Sequence, residues 1–154
     1  MRVSAKVDYA LRATAELAAA QLDSQRADSE GADSERASPI KGERIATAQG
    51  VPLNFLENIL LELRRSGIVA SQRGAEGGYW LARPAGDVSV ADVIRAVEGP
   101  IATVRGARPE EVDYTGAATA LREVWIELRT SMRGVLESTT LADLVARSTP
   151  KESG

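Results

Sequence analysis

The chain contains no cysteine and no histidine. The first absence excludes disulfides and thiolate metal sites. Together the two remove the usual ligands of zinc, haem and iron–sulfur clusters, and with them Ser-His and Cys-His catalytic pairs. Acid–base chemistry would have to rest on carboxylates, lysines or tyrosines, and no carboxylate pair stands out. No apolar run reaches the roughly 18 residues of a membrane span. The N-terminus lacks the apolar run and small-residue cleavage site of a signal peptide. The expectation is therefore a soluble cytoplasmic protein, with no membrane partner and no metal or other cofactor.

The 154 residues fit one domain, or one small domain with an appended helix. The net charge is −3, which argues against a generic nucleic-acid binder, but the charge is unevenly spread. Residues 21–35 carry a net −4 and residues 36–84 a net +3. A local basic face on an acidic protein suffices for DNA, because counterion release depends on the contacting surface.

Residues 4–22 read as a helix. Ser4 suits the N-cap, and Val7, Leu11, Ala15, Ala18 and Leu22 follow the helical period. Residues 23–38 contain nothing more apolar than alanine and carry "ADSE" twice. With so little to bury they are expected to form a flexible surface loop. Residues 41–49 form a short helix ended by Gly50, and Pro52 opens a second with Leu53, Leu56, Ile59, Leu60 and Leu63 toward a core. Two helices joined by a tight Gly-Val-Pro turn make a helix-turn-helix.

Two short β-type runs follow, 68–73 and 78–83, around the reversal "GAEG". Helix, turn, helix and hairpin come in the order of a winged helix. In the second run Tyr79 and Leu81 share one face and Trp80 takes the other; either face could anchor the hairpin. Asp87 or Ser89 caps a helix ending at Gly99. Residues 100–116 read as a connecting loop. From Ala117 a long amphipathic helix places Leu121, Trp125, Leu128, Met132 and Val135 on one seam. Little apolar material remains in the chain to cover that seam, so a partner subunit is expected there. Thr140 and Asp143 form a variant capping box for a short terminal helix.

The expected organisation is mainly α with a small β-hairpin. A winged helix-turn-helix DNA-binding domain takes residues 1–99, a connecting loop 100–116, and a dimerisation helix with a short terminal helix 117–147. Residues 148–154 form a disordered tail.

The glycine-rich stretch "SQRGAEGGYWLARP" (71–84) could instead cradle a nucleotide. Its G-x-x-G-G spacing matches neither dinucleotide nor Walker patterns, and it joins two strands rather than a strand to a helix. An enzyme is not expected. A winged helix used only for protein contacts is the standing alternative, and the basic charge of this segment favours DNA over it.

The stretches "MRVSAKVDYALRA", "IATAQGVPLNFLENILLELRRSGIVASQRGAEGGYWLARP", "VSVADVIRAVEGP" and "TTLADL" resemble the Rrf2 family of bacterial winged-helix regulators. The resemblance runs from Met1 to about Val145 and implies a homodimer, usually a repressor, on an imperfect palindrome of double-stranded DNA. Iron–sulfur branches of that family carry three cysteines in the loop before the long helix, and this loop has none. Asp8 matches a carboxylate ligand position of the nitric-oxide-sensing branch, but one aspartate cannot hold a cluster without thiolates or imidazoles. It is expected to be an ordinary polar residue of the first helix.

On DNA, Asn54 and Asn58 would share the outward face of the recognition helix with Arg65. Asparagine pairs bidentately with adenine, and Glu57 can accept from a cytosine amino group. Phe55 suits a thymine methyl. The resemblance places Asn54, Phe55, Glu57, Asn58 and Arg73 at base-reading or groove-reaching positions. Ser4, Lys6, Arg64, Arg65 and Arg73 are candidate phosphate contacts, and Gly74, Gly77 and Gly78 would let the wing approach a backbone. Three ways of switching stay open: an unidentified small-molecule effector near Tyr114, Trp125 and the 100–116 loop, control by a protein partner, and constitutive repression.

Overall fold

The computed structural model describes residues 1–29 and 38–148. Among these residues six α-helices and one hairpin follow in order: α1 (Ala5–Ser29), α2 (Gly42–Gln49), α3 (Leu53–Arg65), β1 (Val69–Gln72), β2 (Gly78–Leu81), α4 (Val90–Glu98), α5 (Leu121–Ser138) and α6 (Leu141–Ser148). Among the described residues no helix is long and apolar enough to cross a membrane.

The core forms where α1, α3 and α4 bring their apolar faces together. Leu17 of α1, Leu56, Leu60 and Leu63 of α3, and Val93 of α4 are all buried there. The alanines of α1 let neighbouring helices approach closely: Ala10, Ala13 and Ala18 are buried. Thr14 is buried beside them, and its hydroxyl donates to the Ala10 carbonyl at 2.9 Å, so no polar group is left unpaired there.

The turn between α2 and α3 works as its residues dictate. Gly50 takes the left-handed conformation (φ 64°), and the Val51 N–H returns to the Ala46 carbonyl at 3.0 Å. Pro52 is the N-cap of α3. β1 and β2 pair antiparallel, with Val69 opposite Leu81 and Gln72 opposite Gly78. Leu81 is buried and Tyr79 packs against the core, so that face anchors the hairpin and Trp80 lies on the other.

Four differences from the sequence reading have physical causes. First, α1 runs on through Ser29, so residues 23–29 are helical where a loop is expected. An established helix needs only propagation, one bond per residue added, and Gln25, Arg26 and Ala27 are adequate helix formers. Residues 30–37, the rest of the expected loop, lie outside the described residues, as does the expected tail beyond Ser148.

Second, Ile40 bridges Tyr79 on the free side of β2, with N–H···O distances of 2.9 and 2.8 Å. This short extra pairing covers the wing's open edge. Third, the long helix starts at Leu121, after a 3₁₀ turn over Gly116–Ala118. Fourth, α6 folds back onto the winged-helix core: Leu141 is fully buried in the same cluster as Leu17 and Leu60.

Paired caps fix that return. Ser89 and Asp92 form a reciprocal capping box on α4 (3.0 and 2.9 Å), and Thr140 and Asp143 form another on α6 (both 3.0 Å). Ser89 and Thr140 face each other in an antiparallel bridge. Val90 N–H bonds the Thr139 carbonyl, and Leu141 N–H bonds the Val88 carbonyl, each at 2.9 Å.

Candidate nucleic-acid interface

With Leu56, Ile59, Leu60 and Leu63 committed to the core and Leu53 and Glu62 half-buried, the remaining residues of α3 are turned outward. Asn54, Asn58, Leu61 and Arg65 follow helical spacing along one exposed ridge. Phe55 flanks it at 63% exposure. Glu57 and Arg64 lie on the other flank, facing the wing.

Between that flank and the wing is a cavity of 370 Å³, lined by Glu57 and Arg64 from α3, Arg73 and Gly74 from the wing, and Lys41 before α2. The Arg64 guanidinium donates to the Ser71 hydroxyl at 3.2 Å, and the Lys41 ammonium donates to the Gly74 carbonyl at 2.7 Å. These two contacts tie the wing to the helix-turn-helix. Arg73 is exposed at the end of β1. The structure thus brings Glu57, Arg64, Arg73 and Gly74 around one cavity, with Asn54, Asn58 and Arg65 exposed on the ridge of α3 beside it and Phe55 on the ridge's far flank.

The other two glycines have a different position. Gly77 and Gly78 are buried. A Cβ on Gly77 would collide with the Gln72 carbonyl oxygen, and one on Gly78 with the Ile40 backbone at 2.7 Å. The backbone that they approach closely is the protein's own. Their smallness shapes the wing, and the exposed tip is left to Arg73 and Gly74.

Ser4 and Lys6 lie away from this cavity, at the start of α1. Ser4 caps the helix, accepting from the Val7 N–H at 3.1 Å, and its hydroxyl also donates to the Glu98 carboxylate. Lys6 pairs with Glu62 of α3 at 2.9 Å. Both side chains already have partners, so a phosphate would have to displace a carboxylate at each. Asp8 pairs with Arg12 one turn on, at 2.9 Å.

Two supporting residues carry no motif. Lys41 stands alone before α2, its only signal being its place in the positive segment. Gln21 holds the chain as it leaves the wing, donating to the Arg83 carbonyl (2.9 Å) and accepting from the Ala85 N–H (2.7 Å).

No residue of α5 is fully buried. Trp125, Leu128 and Met132 line an apolar groove of 570 Å³ shared with Val3, Val7 and Ile94. Leu121 is half-buried, and Val124 and Val135 are 50% and 66% exposed. Tyr114 and Trp125 satisfy each other, the indole N–H donating to the phenol oxygen at 2.9 Å. They fasten the connecting loop to α5.

A helix-turn-helix whose second helix offers a polar ridge beside a braced, basic-tipped hairpin defines a winged-helix transcriptional regulator. Comparison with known proteins makes this particular. Residues 3–147 match the Rrf2 family, described as iron-dependent transcriptional regulators. Rv1287 of Mycobacterium tuberculosis, a candidate HTH-type transcriptional regulator, is 44% identical over 151 residues, covering 98% of this chain and 85% of that protein. The HTH-type transcriptional regulator CymR of Bacillus subtilis is 35% identical, over 95% of this chain and 91% of its own. The solved structure of CymR, the global cysteine regulator of B. subtilis, aligns with a TM-score of 0.75 at 32% identity, covering 97% of this chain and 99% of that one. The IscR structure from T. potens gives 0.74 at 30% identity, over 100% and 93%. The chain belongs to the Rrf2 family.

The family's description implies iron, and the donor set of this chain does not fit an iron–sulfur centre. It has no thiolate and no imidazole. Among the described residues no group of three or more acidic side chains could hold a metal ion. Glu110 of the connecting loop and Glu137 of α5 are each bound by arginine.

Proposed function

We propose that this protein is a homodimeric repressor that binds an imperfect palindrome without an iron–sulfur cluster. The carrying observation is the polar ridge of Asn54, Asn58 and Arg65, exposed over a leucine-packed face and flanked by the wing with Arg73. Asn54 and Asn58 read adenine edges, Glu57 a cytosine amino group and Phe55 a thymine methyl, all in the major groove. Arg64, Arg65 and Arg73 meet phosphates or reach an adjacent groove. The half-exposed seam of α5 supports a second copy, whose two-fold symmetry would set half-sites about one helical turn, roughly 34 Å, apart. The signal is a small molecule acting on the connecting loop, in place of cluster chemistry.

The test is a gel shift on the DNA upstream of the protein's own gene, run across a salt series. Binding that weakens with salt, with a footprint of two symmetric half-sites, is the expected result. No binding even at low salt would overturn the proposal and favour a winged helix used for protein contacts.

A further inference from the structure

We infer that a basic cavity between the connecting loop and α5 is a binding site for a small dianion carrying carboxylate or phosphate groups. The inference deepens the effector part of the proposed function and names the ligand's chemistry. The cavity has a volume of 620 Å³ and is lined by Arg95, Arg108, Arg129 and Arg133, against Glu110, Glu111 and Glu137. That size lies within the range of small-ligand sites, roughly 300–1,000 Å³. Its lining is net positive by one charge.

The arginines have donors to spare. Arg95 and Arg133 both use Glu137, and both bond the same oxygen, Oε1, at 2.5 and 3.0 Å. Arg108 is tied to Glu111 through its backbone, its N–H donating to the Glu111 carboxylate at 3.2 Å and its carbonyl accepting from the Glu111 N–H at 2.9 Å, and its guanidinium lies near enough to Glu110 to act on that carboxylate by charge. Each guanidinium offers five N–H groups in a planar fork suited to carboxylate and phosphate oxygens. Arg129 is different. It grips Glu110 through both terminal nitrogens, one at 2.8 Å, and its side chain is only 17% exposed. It builds the wall of the site, while Arg95, Arg108 and Arg133 hold the spare donors. Exposed pairs such as those to Glu137 are weak and exchange readily, so an incoming oxyanion can share or replace that carboxylate.

The location suits a signal. Residues 100–103 wall this cavity on one side and the apolar groove of Trp125 and Met132 on the other. The same loop holds two non-glycine residues in the left-handed region, Ala102 (φ 56°) and Arg105 (φ 50°). Backbone strain of this kind clusters at ligand clamps and switches. An anion drawing Arg108 and Arg133 together would press on a wall that the dimer seam shares.

Thermal melts of the full chain test this, with inorganic phosphate or succinate added at constant ionic strength. Phosphate stabilises many proteins through exclusion from their surface, so the comparison with variants decides. Wild type should gain about 4 °C or more in Tm near saturation. Arg108→Gln and Arg133→Gln should each lose most of that gain, while Arg83→Gln, far from the cavity, keeps it. A response to phosphate alone or to succinate alone identifies the ligand's head group. No gain with either probe, or an equal gain in every variant, overturns the site. A gel shift without added anion reads DNA binding separately, and Arg108→Gln should leave it unchanged, so failure of the site and failure of the DNA-binding reading are distinguishable.

Discussion

Asn58 and Arg73 are both exposed on the proposed DNA face, but they should fail differently. Asn58→Ala removes a base-reading amide and should cost about 1–3 kcal/mol on the operator, with little change on unrelated DNA. Arg73→Ala should weaken binding more evenly across sequences if the side chain meets phosphate, and lower the salt slope by about one. Fluorescence anisotropy on both DNAs at several salt concentrations checks the two together. If Asn58→Ala weakens both DNAs equally, it is not a base reader. A third residue speaks to pH. The Arg129 guanidinium and the loop's own backbone N–H, with Arg108 nearby, hold the Glu110 carboxyl down at about 2, against an ordinary 4.5. A carboxyl lowered by folding stabilises the fold above its unfolded value, and that contribution is lost as pH falls from about 4.5 toward 2. Glu110→Gln should therefore lower Tm at neutral pH and converge with wild type near pH 2. A constant gap across that range would mean the carboxylate's charge plays no part.

At the scale of elements, α6 is the sharpest test. If it belongs to the winged-helix core, Leu141→Ala should cost about 2–5 kcal/mol in urea unfolding, as a core leucine does. A cost below about 1 kcal/mol would place α6 outside the core. Much of this architecture was legible in local chemistry. The period of Leu56, Leu60 and Leu63, the Gly50–Pro52 turn, the Ser89 cap and the Thr140–Asp143 box are all interactions within a few residues, and each is found where its residues require. What escaped depends on partners distant in sequence. Nothing near Ile40 announces that it pairs with Tyr79, and nothing near Gln21 that it clamps residues 83 and 85. The glycines of the wing were visible, but what they make room for was not: Gly77 and Gly78 meet Gln72 and Ile40. For the proposed site the exposed ridge followed from periodicity, whereas the bracing of the wing by Lys41 and Arg64 needed the fold.

For the whole molecule the question is assembly. The apolar edge of α5 at Val124 and Val135 is open to solvent, beside Leu128 in the groove. The double variant Val124→Glu, Val135→Glu should sediment as a monomer with an unchanged helical circular-dichroism spectrum. Its affinity for a full palindrome should fall toward that for a half-site. A dimer that survives both charges would place the interface elsewhere. The bridge between Ser89 and Thr140 has a further consequence at this scale. It closes the chain on itself: α4 stays in the core, and the connecting loop and α5 that follow it run out and return beside the point where α4 begins. Such a segment is a handle held by a clasp. Loop-closure entropy rises only slowly with loop length, so the handle can lengthen, shorten or exchange its sensing chemistry at small cost to the DNA-reading body. A fold built this way can change the chemistry of its handle and leave the helix-turn-helix and wing as they are.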